Sequence, residues 1–177
     1  MKTKKLTFCA ILVALALCMS LLERFLPLTY LFPLPGIKLG LSNLVTLFAL
    51  YFLGFPYACA ILVIRCVLGS IFAGSLTSLA YSLTGGILSI LVSFLAMKLN
   101  LFSVYGVSLL GACAHSIGQV IAASVLLGSI SPFGYLPLLL CVSFITGLVI
   151  GSVSSLLLRN LSGIPAFAFS NQEDSNS

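Results

Sequence analysis

The chain has 177 residues, of which 60% are hydrophobic and only 6% charged, with a formal net charge of +5. Soluble domains carry roughly 25% charged residues, so this composition excludes an ordinary soluble domain and points to an integral membrane protein. The eight basic residues are scattered and form no basic face, which excludes a nucleic-acid-binding reading; near membrane ends they report topology instead.

Met1-Lys2-Thr3-Lys4-Lys5 precedes an apolar run over 6–22. No small-x-small cleavage site leading into a polar mature domain follows, so this run is expected to stay as a first helix with its lysines in the cytoplasm. Ala10 and Ala14 lie four apart and share a face on which another helix can approach closely. Glu23 and Arg24 close the helix. A loop over 25–35 follows, made apolar and stiff by Pro27, Tyr30, Phe32, Pro33 and Pro35, and suited to covering a binding pocket.

The stretch Pro33-Leu34-Pro35-Gly36-Ile37-Lys38-Leu39-Gly40-Leu41-Ser42-Asn43-Leu44 organises the rest. Its prolines end the loop, because a residue before proline is pushed out of the helical region. A second helix is expected over 37–53. Lys38, Ser42 and Asn43 then bring a cation and two hydrogen-bonding side chains to the mouth of a membrane helix. Polar groups are costly there, which marks them as candidates for substrate binding; the plainer alternative is a loop-to-helix junction with a snorkelling lysine.

Gly54-Phe55-Pro56 reads as a tight turn before a third helix over 57–72, which carries Arg65 near its middle. A fourth helix is expected over 79–97, with Thr84-Gly85-Gly86 inside it, and a fifth over 104–127 with His115 and Gln119. After the turn Gly128-Ser129-Ile130-Ser131-Pro132, a sixth helix covers 134–158. Its Gly147 and Gly151 form a close-packing pair. The expectation is an all-α bundle of six transmembrane helices over 1–160 and a polar cytoplasmic tail over 161–177. With both termini inside, Lys2, Lys4, Lys5, Lys98 and Arg159 fall on the cytoplasmic side and Arg24 and Lys38 on the other, in accord with the positive-inside rule. A β-barrel is excluded, since short segments alternating apolar with polar residues are missing.

Arg65 is the sharpest candidate. An arginine at mid-helix costs at least about 2.5 kcal/mol to insert, so it should face the bundle interior, either bonding helix carbonyls or recognising an anion with its planar fork of donors. His115 and Gln119, four apart, share one helix face and can hydrogen-bond a ligand, the plainer alternative being a satisfied interior histidine. Tyr81 and Thr84 are further candidates, although a helical hydroxyl often bonds its own backbone.

Catalysis by this polypeptide alone is not expected. There is no Gly-x4-Gly-Lys-Ser/Thr phosphate loop, so ATP hydrolysis would fall to other subunits. The acidic residues are Glu23, Glu173 and Asp174 only, too few for the carboxylate clusters that hold magnesium on a diphosphate or for a serine–histidine–acid set. Six cysteines show no metal-ligand spacing, and neither a metal nor another cofactor is expected.

The basic N-terminus, Ala10 and Ala14, six apolar runs and the Pro35–Asn43 motif together resemble the Gx transporter family, also labelled heptaprenyl diphosphate synthase component I. That family is similar to the substrate-binding S components of energy-coupling factor (ECF) transporters, and the resemblance covers about 1–160. It implies a non-catalytic subunit that captures a small molecule near the outer face, beneath the loop over 25–35. The fourth to sixth helices would line the pocket, with Tyr81, Thr84, His115 and Gln119 facing the ligand. It also implies docking through Ala10 and Ala14 onto a transmembrane coupling protein served by two cytoplasmic ATPases. The family's other label implies instead a membrane partner of a prenyl diphosphate synthase subunit.

Overall fold

A computed structural model describes residues 2–25 and 40–161. The expected lid over 25–35, apart from its first residue, together with Lys38 and the tail beyond 161, lies outside the described residues. Those described form six α-helices: α1 (Lys2–Phe25), α2 (Asn43–Leu53), α3 (Phe55–Ala73), α4 (Leu76–Lys98), α5 (Val104–Leu127) and α6 (Leu136–Leu161). All but α2 are long and apolar enough to cross a membrane.

The helices begin where local chemistry allows. Pro56 sits in the first turn of α3, where its missing N–H is no loss, so α3 starts two residues before the expected position. Ser75 caps α4 by accepting a hydrogen bond from the Ser78 N–H at 3.3 Å, which moves that start forward to Leu76. A 3-10 turn, Ser131–Tyr135, precedes α6.

The second helix departs furthest from expectation. It starts at Asn43 rather than at 37, because Gly40 has φ +80°, a left-handed value that breaks a helix. Leu41 and Ser42 then form a turn in which Asn43 N–H donates to the Gly40 carbonyl at 2.8 Å and Leu44 N–H to the Leu41 carbonyl at 3.0 Å. An α2 of 11 residues extends about 16 Å, well short of the ~30 Å hydrocarbon core.

This short helix occupies the middle of the bundle and packs against α1, α3, α4 and α6. Around it, α4 lies between α3 and α5, and α6 packs along α5. The α4–α5 pair crosses most closely at Gly85 and Gly118, where a Cβ on Gly118 would stand 2.7 Å from the Gly85 Cα. Two helical backbones meet there, and no side chain fits between them. Gly147 and Gly151 lie against Leu109 and Tyr105 of α5 in the same way, so the glycine pair of α6 is a packing face.

Polarity runs from inside to outside, the reverse of a soluble protein. Ile71, Phe72, Leu76, Val125 and Ile145 are exposed, whereas Arg65, His115, Gln119, Asn43 and a set of serines are buried. Apolar side chains turned outward and polar ones inward are what a lipid solvent requires, so the chain is a multi-pass membrane protein.

Candidate functional site

The buried polar side chains gather around the segment from Gly40 to Asn43, where α2 begins. Arg65 from the middle of α3 donates through Nη1 to the Ser42 hydroxyl. Asn43 Nδ2 donates to Ser89 Oγ, in the middle of α4, at 2.6 Å. The imidazole of His115, in the middle of α5, lies against Gly40, and a Cβ there would meet its Cδ2 at 3.1 Å. His115 Nε2 is also 3.1 Å from Nε2 of Gln119, one turn further along α5. At the end of α1, Glu23 Oε1 accepts from the Leu41 N–H. Four helices, α1, α3, α4 and α5, thus converge on the four consecutive residues at which α2 begins.

Arg65, Ser89 and His115 lie near the middle of their long helices, and Glu23 lies at the end of α1, so the start of α2 is enclosed by three helix interiors and one helix end. A helix N-terminus carries a partial positive charge, and one placed deep in a low-dielectric bundle favours anionic groups there.

Burial is nearly complete. Arg65 is 3% exposed, and among the described residues its Nε and Nη2 have no hydrogen-bond partner. Gln119 is fully buried with Oε1 unpaired. Buried polar groups in proteins are paired in the great majority of cases, so donors and acceptors left open at one place make this cluster the candidate site.

Of the residues singled out from sequence, Ser42, Asn43, Arg65, His115 and Gln119 are brought together here. Tyr81 is buried about two turns before Ser89 along α4, in a cluster with Ala122 and Ala123. Thr84 is exposed and donates to the carbonyl of Ala80, in its own helix, at 2.6 Å. Lys38 lies outside the described residues. Ala10 and Ala14 are both exposed on α1.

Two participants were not among the residues expected at the site. Glu23 reads in the sequence as the end of the first helix, and nothing local reveals that it holds a residue 18 positions away. Ser89 had a visible signal: Gly85, Ser89 and Ser93 recur every four residues, a stripe of small and hydroxyl side chains along α4. A further buried contact joins Ser116 of α5 to Ser143 of α6, their hydroxyls 2.5 Å apart. Ser143 in turn donates to the carbonyl of Leu139, one turn earlier in α6, at 2.7 Å.

The described residues hold no group of three histidine, cysteine, aspartate or glutamate side chains that would bind a metal ion. Glu23 is the one acidic side chain at the cluster, and it is engaged with the Leu41 backbone.

No curated protein and no solved structure gives a significant match to the chain. The family model described as heptaprenyl diphosphate synthase component I matches residues 12–157, which includes every residue of the polar cluster. The match spans most of the sequence, and the chain belongs to the heptaprenyl diphosphate synthase component I family.

Proposed function

We propose that this protein is the substrate-binding subunit of an ECF-type transporter, capturing a small anionic molecule from the outer side of the cell membrane. The observation that carries the reading is the convergence of Arg65, Ser89, His115 and Glu23 on Gly40–Asn43 in the interior of an otherwise apolar bundle. Such a concentration of intramembrane polar groups is functional by default. Six crossings with both termini in the cytoplasm are part of the proposal. Ala10 and Ala14, exposed on α1, offer a smooth surface for a coupling protein, and ATP hydrolysis belongs to two cytoplasmic partner subunits.

The family description favours a second reading: a non-catalytic membrane component that works with a prenyl diphosphate synthase subunit. The two readings predict different company. Purification of the tagged protein in mild detergent, with mass spectrometry of what co-elutes, separates them. Recovery of a coupling membrane protein with two ATPases supports the transporter. Recovery of a prenyl synthase subunit in stoichiometric amount overturns it in favour of the second reading.

A further inference from the structure

Arg65 carries an inference about what the site holds. Its guanidinium is planar and presents its N–H groups in fixed directions. Nη1 is committed to Ser42, which anchors the group at the start of α2. The two nitrogens left open are Nε and Nη2. These lie on one edge of the guanidinium, and their N–H bonds run parallel, as a two-pronged fork. The matching partner is a group with two oxygens on one atom, which accepts both bonds side by side.

We propose that the Nε/Nη2 edge of Arg65 is a side-on receptor for a carboxylate or phosphate group, seated beside the N-terminus of α2. The inference deepens the binding role proposed above and rests on it for the source of the ligand, though not for the chemistry of the site. The open edge belongs to a side chain that is 3% exposed, so the fork is fixed within the protein and is not a surface cation waving in solvent. Ser42 is the residue that aims it. A two-oxygen anion is distinguished from a halide because only the former fills both prongs, and an arginine at such a fork is not replaceable by lysine, whose ammonium is a point charge without an edge.

The oxyanion can come from a small soluble molecule or from a lipid headgroup, and one experiment covers both. The purified full-length protein is placed in phosphatidylcholine nanodiscs and its thermal unfolding midpoint is followed during titration with inorganic phosphate, acetate or chloride. A second set of discs contains phosphatidylglycerol and no added soluble anion. A midpoint that rises with phosphate or acetate, and not with chloride at equal ionic strength, supports a soluble oxyanion. A rise with phosphatidylglycerol alone supports a headgroup on the same fork. In either case the response should weaken by tenfold or more in apparent affinity in Arg65→Lys, and by several-fold in Ser42→Ala, which keeps the arginine but releases its aim. Ser42→Ala removes only a hydroxyl, so it remains informative if Arg65→Lys does not fold. The proposal is overturned if neither oxyanion source moves the midpoint, if chloride acts equally, or if both variants respond like the parent. A protein that shows the response but co-purifies with no coupling subunit retains this site and loses the transporter reading.

Discussion

His115 lies against Gly40, the residue whose left-handed backbone stops the second helix from starting earlier. A Cβ at Gly40 would stand 3.1 Å from the imidazole Cδ2, and the φ of +80° is one that side chains other than glycine's rarely adopt. Conformation and contact therefore both demand glycine at this position. The imidazole fills the space that a side chain would need, and α5 is thereby held to the turn that begins α2.

Gly40→Ala is accordingly expected to lower stability by about 1–2 kcal/mol from backbone strain alone, with contact against His115 adding to it. Thermal unfolding in detergent measures the loss. Combining it with His115→Ala should return part of the stability, because removing the ring relieves the contact and leaves the backbone term. Additive losses would show that the two residues do not press on one another.

At the α4–α5 crossing, Gly118→Ala places a methyl 2.7 Å from the Gly85 Cα and 2.8 Å from the Thr84 carbonyl oxygen. Backbone atoms cannot rotate aside, so the helices must separate. A loss of about 1–3 kcal/mol is expected, the usual range for overpacking. Gly134, with open space around it, is the control site, where alanine should change little. Equal midpoints for the two variants would contradict the close crossing.

The Asn43–Ser89 hydrogen bond joins α2 to α4 at 2.6 Å. Interhelical hydrogen bonds within membranes average about 0.6 kcal/mol and reach about 1.7 kcal/mol. A double-mutant cycle with Asn43→Ala and Ser89→Ala should give a coupling energy in that range. A coupling of zero would mean that the pair is adjacent without contributing to the fold.

Arg65→Leu should separate binding from folding. Removing the charge relieves the cost of keeping an ion out of water, which is several kcal/mol per buried ion and offsets the lost Ser42 hydrogen bond. The variant is therefore expected to fold with an unchanged or higher midpoint while losing its co-purifying ligand, as read by mass spectrometry of the extracted protein. A variant that fails to fold would make the arginine a structural strut.

Ala10→Leu and Ala14→Leu add bulk to exposed positions of α1. Stability should change by no more than about 0.5 kcal/mol, as for surface substitutions in general. Under the transporter reading, recovery of a coupling protein in pull-downs should fall sharply while ligand retention stays intact. Unchanged recovery would remove this face from the docking role.

The sequence by itself determined the class of protein and the helix inventory, because lipid imposes a one-dimensional rule. Each long crossing helix must be an apolar run of about 20 residues, and such runs can be counted without knowing how they pack. It also singled out Arg65, His115, Gln119, Ser42 and Asn43, since a polar residue in an apolar run is conspicuous wherever the run sits. Tertiary structure alone decided which of these meet. Helix spacing relates residues three or four apart, so it tied His115 to Gln119 but had nothing to say of Glu23 and Leu41, Asn43 and Ser89, or Arg65 and Ser42. The short α2 was equally hidden, because the stretch over 37–53 has the length of a helix and only the backbone turn at Gly40 delays the helix start to Asn43. Long-range contacts depend on how helices cross, and crossings are settled by the close approach of small residues such as Gly85 and Gly118 in three dimensions.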